Sequence, residues 1–348
     1  MVHMRKAISV TYEDIISVDN LLAAWQEIIA GKRGRKDVQE FEQRLMEHVF
    51  ALHEDLRMLT YKHGPYEAFA ISDPKPRSIH KATVCDRLLH HAVYRQLYPA
   101  FDRRFIADSY SCRKGKGTHK ALDRFRAFAQ KVSKNRTRTV WVLQCDIRKF
   151  FASIDHSALL RTLRHSVVDS RVIWLLERIV CSFTLGRGGK GLPLGNLTSQ
   201  LLVNIYMNEF DQFVKHGLKV GCYVRYADDF VILSDNRVWL TGLLPVIEKK
   251  LREDLRLELH PNKVHIKALS SGIDFLGWVH FPDHRVLRTA TKRRMLRSAA
   301  GGTSLPALNS YMGMLKHGNS QKLERELEYA AQIGQCDDSD GFDGTSGN

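Results

Sequence analysis

Two adjacent aspartates, Asp228 and Asp229, lie between two apolar, β-branched runs in the segment YVRYADDFVILS, residues 223–234. These runs predict a buried hairpin, where adjacent carboxylates are costly unless their charge is offset. A third carboxylate, Asp146, ends the strand-like run VWVLQCD. Three carboxylates that converge on one point repel one another and favour a bound cation. The alternative is that Asp228 and Asp229 are ordinary turn residues.

Magnesium is the cation that best suits three converging carboxylates. It prefers oxygen ligands, keeps several waters and bridges protein carboxylates to substrate phosphates. We therefore predict a magnesium site, with Mn²⁺ as a substitute. Its predicted ligands are the three carboxylates of Asp146, Asp228 and Asp229, together with Ile147. Two such ions, roughly 3.5–4 Å apart, would activate an attacking 3′-hydroxyl and stabilise leaving pyrophosphate. The chemistry that these residues indicate is nucleotidyl transfer.

The net charge indicates a polyanionic partner. The 348 residues include 53 Lys and Arg against 38 Asp and Glu, which gives a formal charge of +15. Residues 74–138 hold 17 basic residues and four aspartates, and residues 285–297 hold six basic residues and no acid. Two separate basic segments favour two surfaces that grip a nucleic acid. A solvated basic face is the alternative.

The remaining composition bears on location. Hydrophobic residues make up 44% of the chain, which is ordinary for a globular protein. No apolar run approaches 18 residues and the N-terminus carries no cleavable apolar segment, so we predict neither a membrane helix nor a signal peptide. The six cysteines form no Cys-x-x-Cys pair, which argues against a zinc site or a disulfide framework. We expect a cytoplasmic protein with no membrane partner.

The apolar spacing predicts an α+β fold in which strand hairpins alternate with helices. Helices are predicted over residues 17–32, 37–59, 85–101, 118–132, 156–167, 197–217 and 242–257. The helix over 197–217 is predicted to be amphipathic and to end at a glycine. Strands are predicted within residues 64–79 (a pair), 139–147, 222–234 (a hairpin) and 263–269. No glycine-rich phosphate loop is visible.

Residues 20–320 resemble the reverse transcriptases, with their motifs in the same order. YADDF (226–230), which includes Tyr226, resembles the Tyr-x-Asp-Asp box of that family, and CDIRKFFASIDH (145–156) resembles the preceding aspartate motif. The resemblance implies a right-hand polymerase fold with fingers, palm and thumb. It also implies that Phe151 is the steric gate that clashes with a ribose 2′-hydroxyl and so favours dNTPs. Core packing is the alternative role for this ring.

The basic segments resemble the fingers motifs of the bacterial, group II intron-like branch. In PKPRSIHKATVCDRLLHHAV (74–93), Lys75 and Arg77 would contact the incoming triphosphate. Arginine suits this role because its fork binds phosphate oxygens bidentately. In SYSCRKGKGTHKAL (109–122), Arg113 and Lys116 would touch the template backbone. A generic surface charge is the alternative at each position.

Two later segments also resemble family motifs. In LHPNKVHI (259–266), Lys263 would act as a general acid that protonates leaving pyrophosphate. The alternative is a strand-edge lysine. GIDFLGWVHF (272–281) resembles the primer-grip hairpin, which would place Phe275, Leu276 and Gly277 at its turn. The basic segment after it, residues 285–297, would begin the thumb.

One segment narrows the subfamily. GLPLGNLTSQ (191–200) stands at the template-positioning motif, and its Leu194, Gly195, Ser199 and Gln200 resemble the pattern of diversity-generating retroelements. Those enzymes copy a template RNA with frequent errors opposite adenine. The resemblance places Leu194 and Gln200 near the template base or dNTP. It implies a bacterial or phage-encoded enzyme whose partners are template RNA, an RNA–DNA hybrid, dNTPs and a small basic accessory protein.

Two other interpretations stay open. A reverse transcriptase of a retron or a phage-defence system shares the chemistry, and a non-catalytic RNA-binding scaffold shares the fold. The resemblance also implies a domain order. Residues 1–60 form an N-terminal helical segment, 61–140 the fingers, 141–283 the palm with part of the fingers, and 284–335 a helical thumb. Residues 336–348 form an acidic, disordered tail.

Overall fold

The computed structural model describes residues 8–72, 76–186, 188–301 and 304–337, with side chains described to residue 331. The chain divides into two compact units. Unit 1 holds the described residues of 1–115, 145–230 and 242–264, and unit 2 those of 116–144, 231–241 and 265–348. Within the described ranges, no helix is both long and apolar enough to cross a bilayer.

Unit 1 begins with four helices, α1 (Tyr12–Ile16), α2 (Val18–Ile29), α3 (Lys36–Gln43) and α4 (Leu45–Arg57). The Thr11 side chain opens α1, because it accepts from the Asp14 backbone while the Asp14 side chain accepts from the Thr11 backbone. The single helix predicted over 37–59 is wrong. Arg44 leaves the helical region at φ −123° and ψ 34° and separates α3 from α4, although the apolar spacing continues across the break.

A hairpin of two strands follows, β1 (Glu67–Ile71) and β2 (Arg77–Lys81). The strands are antiparallel, in a register that pairs Glu67 with Lys81 and Ile71 with Arg77. This confirms the predicted strand pair. Every residue of β1 is exposed, so its alternating apolar residues do not face a core.

The chain then forms α5 (Val84–Asp102), α6 (Thr118–Val132), β3 (Trp141–Asp146), α7 (Phe150–Ser153), α8 (His156–Ser166), α9 (Ser170–Cys181) and α10 (Leu197–Gln212). Apolar spacing predicted α5, α6, β3, α8 and α10, whereas the prediction omitted α9. The amphipathic prediction for α10 is wrong, because nearly all of its residues are buried where it packs against α5 and α8. Its last turn, Phe213–Gly217, is π-helical and ends at the predicted glycine.

The next elements are β4 (Tyr223–Tyr226), β5 (Asp229–Ser234), α11 (Arg237–Leu255) and β6 (His265–Ala268). The sheet order is β4-β5-β3-β6. Strands β3 and β6 are antiparallel, in a register that pairs Trp141 with Ala268. The mixed helices and antiparallel pairing confirm the predicted α+β class.

Unit 2 closes the chain with a three-stranded sheet and three helices. The strands are β7 (Ile273–Phe275), β8 (Trp278–His280) and β9 (Arg285–Leu287), and the helices are α12 (Thr289–Ala300), α13 (Leu305–Leu315) and α14 (Gln321–Asp337). The helices share a core of Met295, Ala299, Leu315, Leu323 and Leu327. Most of the predicted acidic tail, residues 338–348, lies outside the described residues.

Candidate active site

The turn between β4 and β5 places Asp228 beside the end of β3. The Ile147 amide donates to the Asp228 carbonyl oxygen over 3.1 Å, so the backbone of Asp228 lies next to the residue after Asp146. Burial raises the pKa of the Asp228 carboxyl, and the Asp146 carboxylate raises this pKa further. The structure therefore brings two of the predicted carboxylates close enough to repel each other.

Lys263 offsets part of this negative charge. Its Nζ donates to both oxygens of Asp146, over 3.0 and 2.9 Å. The loop that carries Lys263 is held by backbone pairing, because the His260 amide donates to the Asp146 carbonyl over 2.7 Å and the Lys263 amide donates to the His260 carbonyl over 3.0 Å. Charges on Lys263 and Arg77 both lower the pKa of Asp228. Two carboxylates and two positively charged side chains thus form one electrostatic cluster in unit 1. Its members are Asp146, Asp228, Lys263 and Arg77.

Asp229 faces a different environment. One of its carboxylate oxygens is buried, and its charge raises the pKa of the Cys145 thiol beyond the effect of burial. Among the described residues, no three His, Cys, Asp or Glu side chains are grouped so that they could hold a metal ion. Asp146 and Asp228 influence each other electrostatically, and the predicted metal site of three carboxylates stays a prediction.

The predicted fingers residues have different outcomes. Arg77 belongs to the cluster around Asp228. Lys75 lies outside the described residues. Arg113 is part of the fold, since its side chain is only 5% exposed and its Nε donates to Asp102 over 2.7 Å. Its Nη1 donates to the carbonyls of Ile106 and Ser109, so we correct its predicted template contact to a structural role. Lys116 lies in unit 2 and is partly buried.

Phe151 lies in α7, shortly after Asp146. Lys149 has a left-handed backbone with φ 46° and begins this short helix. The Phe151 ring is half-buried and meets Phe150 edge-on, with ring centroids 5.6 Å apart. Its carbonyl accepts from the Leu192 amide over 2.8 Å. The gate candidate is therefore joined to the segment 191–200.

The segment 191–200 is also joined to β2. The His80 amide donates to the Leu194 carbonyl over 3.0 Å, and Asn196 Nδ2 donates to the His80 carbonyl over 2.9 Å. Gly195 has φ +108°, and a Cβ there would lie 2.8 Å from Cγ2 of Ile79. Only glycine fits this close approach. The segment thus fixes the strand that carries Arg77.

Ser199 and Gln200 lie in the first turns of α10. Ser199 is 2% exposed, so it is packed inside unit 1, whereas Gln200 is half-buried. The Gln200 carbonyl accepts from Asn204 Nδ2 over 3.2 Å. Tyr226, the last residue of β4, is also half-buried. These positions keep Gln200 and Tyr226 as candidates for contact with substrate.

The predicted primer grip is a hairpin of unit 2. Phe275 is fully buried, and its ring centroid lies 5.6 Å from that of Phe125, so its side chain is part of the core. Leu276 and Gly277 form the turn, with φ 52° and 86°. The Arg288 amide donates to the Gly277 carbonyl over 3.1 Å. Of the three residues predicted at this turn, Leu276 and Gly277 occupy it, whereas Phe275 ends strand β7 and pairs with Trp278.

A buried ion pair beneath the Asp228 turn was missed in the sequence. Arg225 and Asp211 have side chains that are 1% and 0% exposed. The guanidinium donates from Nε and Nη2 to the two oxygens of Asp211, over 2.8 and 2.7 Å. The arginine inside the apolar run YVRY could have indicated this ion pair, because a buried charge needs a partner of opposite charge.

The chain belongs to the reverse transcriptase family. Residues 71–280 match the family model described as reverse transcriptase (RNA-dependent DNA polymerase). This match confirms the sequence-based prediction of an RNA-directed DNA polymerase domain, which is a nucleotidyltransferase. The structure of telomerase from Candida albicans, in complex with a fragment of telomeric RNA, resembles this chain with a TM-score of 0.53. That likeness covers 82% of this chain and 57% of the telomerase at 9% identity, and it agrees with a right-hand polymerase fold.

Curated relatives are distant in sequence. Protein YkfC of Escherichia coli K12 is 25% identical over 263 residues, which cover 65% of this chain and 67% of YkfC. The group II intron-encoded protein LtrA of Lactococcus lactis is 23% identical over 290 residues, which cover 63% of this chain and 46% of LtrA. The chain thus spans about two thirds of YkfC and less than half of LtrA.

Proposed function

We propose that this chain copies a template RNA into cDNA by two-metal nucleotidyl transfer, as the error-prone reverse transcriptase of a diversity-generating retroelement. The observation that carries the polymerase proposal is the cluster of Asp146 and Asp228 with Lys263 and Arg77. Two carboxylates that repel each other beside an ammonium and a guanidinium suit a metal-bridged triphosphate. The metal ion would relieve the repulsion between the carboxylates, and the positively charged side chains would contact the phosphates.

The donor chemistry fits Mg²⁺, with Mn²⁺ as a substitute. Asp146 and Asp228 provide carboxylate oxygens, and the Ile147 carbonyl is the backbone donor proposed beside them. Burial raises the pKa of the Asp228 carboxyl and the Asp146 carboxylate raises it further, and a divalent cation beside both groups would favour their charged forms. When bound, the metal would polarise the phosphate and favour the 3′-alkoxide. Asp229 stays a proposed ligand only if its side chain turns away from Cys145.

The chain's own residues account for substrate binding. Arg77 would bind triphosphate oxygens through its planar fork. Lys263 holds protons at Nζ and, in the present structure, gives them to Asp146 as hydrogen bonds. We propose that Lys263 donates a proton to leaving pyrophosphate when its contact with Asp146 is released. The half-buried ring of Phe151 would exclude a ribose 2′-hydroxyl.

The retroelement proposal rests on the segment 191–200. Its contacts join Phe151 at one end to β2, the Arg77 strand, at the other. Any nascent base pair held between these elements would meet Leu194 and Gln200. Because backbone hydrogen bonds fix this segment, only a few side chains remain to distinguish a correct from an incorrect base pair. We propose that this is the origin of errors opposite adenine.

The experiment is primer extension by the purified full chain on a primed RNA template with dNTPs and Mg²⁺, followed by sequencing of the cDNA. We expect errors concentrated opposite template adenines. Gln200→Ala should change the error rate at adenines. The matched control is Gln212→Ala on the same helix, because the Gln212 amide already donates to the Arg104 carbonyl over 3.0 Å.

Other outcomes separate the alternatives. Uniformly faithful cDNA would favour a retron or phage-defence enzyme and contradict the retroelement proposal. The absence of any product, even with a basic accessory protein and the native RNA, would favour a non-catalytic RNA-binding scaffold. Equal effects of Gln200→Ala and Gln212→Ala would remove Gln200 from the proposed contact with template or dNTP.

A further inference from the structure

We propose that Arg225 positions the turn that carries Asp228, and that Asn204 couples this turn to the segment 191–200. The proposal rests on the polymerase function above and adds residues that do not touch substrate. Arg225 lies in β4, three residues before Asp228. It is therefore a positioning residue, whose effect reaches the reaction through the backbone of the turn.

The guanidinium of Arg225 donates hydrogen bonds both to Asp211 in α10 and to the backbone of the turn that carries Asp228. On the α10 side, Nε and Nη2 donate to Asp211 over 2.8 and 2.7 Å. On the turn side, Nη1 donates to the Ala227 carbonyl over 2.9 Å. Tyr223 adds a hydroxyl that donates to Asp211 over 2.7 Å. The geometry links a rigid buried helix to the peptide just before Asp228.

The turn needs such support. Ala227 has φ 56°, in the left-handed region that a residue with a Cβ adopts only at a cost. A local conformation of this kind persists when surrounding contacts over-determine it. The Arg225 bond to the Ala227 carbonyl is such a contact. Without it, the turn would relax and the Asp228 carboxylate would move relative to Asp146.

The same guanidinium reaches the proposed fidelity segment. Its Nη2 also donates to Asn204 Oδ1 over 3.3 Å. The Asn204 amide donates in turn to the Gln200 carbonyl over 3.2 Å and to the Ser111 carbonyl over 2.9 Å. A continuous chain of hydrogen bonds, buried at its centre and partly buried at both ends, therefore runs from the turn that carries Asp228 to the Gln200 carbonyl. Displacement at one end should change both catalysis and base selection.

Lysine cannot replace arginine in this arrangement. A planar guanidinium offers five donors in fixed directions, whereas an ammonium is a compact point charge. Arg225→Lys therefore keeps a charge opposite Asp211 while it loses the simultaneous bonds to Asp211 and the Ala227 carbonyl. Arg256→Lys is the matched control, because the Arg256 guanidinium donates to the buried Asp155 over 2.8 Å.

The test uses the full chain and measures four quantities: nucleotide addition, Mn²⁺ binding by EPR without nucleotide, RNA binding and the thermal midpoint. For Arg225→Lys we expect kcat to fall about 100-fold, as for a small misplacement of a reacting group. Mn²⁺ should bind about tenfold more weakly, as when a residue that supports metal ligands is lost. The dNTP KM and RNA binding should match those of Arg256→Lys, and the thermal midpoint shows that Arg225→Lys stays folded at the assay temperature.

Several outcomes would overturn the proposal. One is an Arg225→Lys protein whose kcat and Mn²⁺ affinity equal those of Arg256→Lys. If Arg225→Lys does not fold, Asp211→Asn replaces it, and unchanged Mn²⁺ affinity in that variant has the same meaning. Asn204→Ala should alter the error spectrum while it keeps Mn²⁺ affinity, so an unchanged spectrum removes the coupling. A parent protein that polymerises nothing contradicts the proposed function, while Mn²⁺ binding still tests Arg225.

Discussion

Two ion pairs flank the turn that carries Asp228, and water reaches them very differently. The side chains of Arg225 and Asp211 are 1% and 0% exposed, and those of Lys263 and Asp146 are 47% and 21% exposed. The buried pair uses a bidentate guanidinium, and the open pair uses a flexible ammonium. Two basic side chains near the same turn therefore form ion pairs under opposite solvent conditions.

The difference separates a positioning role from a reacting role. A buried pair cannot exchange its partner, because a single charge left in the core is strongly unfavourable. A solvent-exposed ion pair contributes little to stability, so its carboxylate can leave the lysine and bind another cation. Arg225 thus suits fixed geometry. Lys263 suits an exchange in which Asp146 becomes available to a metal ion and the ammonium becomes available to a phosphate.

The largest effect is expected when the carboxylates themselves are changed. Asp146→Asn and Asp228→Asn should each lower nucleotide addition by about 10³-fold, since each removes several kcal/mol of metal-mediated stabilisation. RNA binding should persist. Primer-extension rates and filter binding measure these quantities, with the exposed Asp254→Asn as control. Near-parent activity in Asp228→Asn would contradict the site, and Asp229→Asn shows whether the third carboxylate joins it.

The buried pair should dominate stability. Arg225→Ala leaves Asp211 charged and unpaired in the core, which should lower the free energy of unfolding by about 3–5 kcal/mol. Urea denaturation followed by circular dichroism measures this change. A loss below about 1 kcal/mol, the size for an exposed pair, would mean that water reaches Asp211.

A buried histidine extends the comparison to a group that has no charged partner. Burial, reinforced by the neighbouring His63 whose Nε2 lies 3.2 Å from that of His90, lowers the pKa of His90 to about 3. The unfolded chain therefore binds the proton more readily. The contribution of His90 to the free energy of unfolding is fully present above about pH 6.5, the usual pKa of histidine, and is lost as the pH falls below that value.

We expect His90 alone to account for about 2 kcal/mol of lost stability between pH 6.5 and pH 5. Urea denaturation across this range measures the loss, and His90→Gln should flatten the profile. His165, which is exposed, gives the control variant His165→Gln. A parent-like slope in His90→Gln would show that other groups control the acid sensitivity.

The smallest change in stability is expected for the open pair. Lys263→Ala should lower the free energy of unfolding by less than about 1 kcal/mol, and salt should reduce even this effect. Its kcat should nevertheless fall about 100-fold if Lys263 is the general acid. A large loss of stability with normal kcat would reverse the roles assigned to Lys263 and Arg225.

The fold was predictable where local spacing decides it. The span 118–132 predicts α6 residue for residue, because apolar positions at helical spacing define one buried face. The prediction that α10 is amphipathic failed because neighbours bury nearly all of its residues. The break at Arg44 has no signal in the spacing, since the buried positions continue on the same stripe.

The sequence by itself determined the local chemistry: an Asp-Asp turn between apolar strands, a third aspartate at a strand end and two basic segments. Side-chain direction within a strand or helix follows from residue order, so these features need no distant partner. Tertiary structure alone decided which charges meet. Lys263 binds Asp146 from 117 positions away, the charge of Asp229 raises the pKa of the Cys145 thiol, and Asp102 holds the Arg113 guanidinium. Such pairings depend on how elements pack, which residue spacing does not encode.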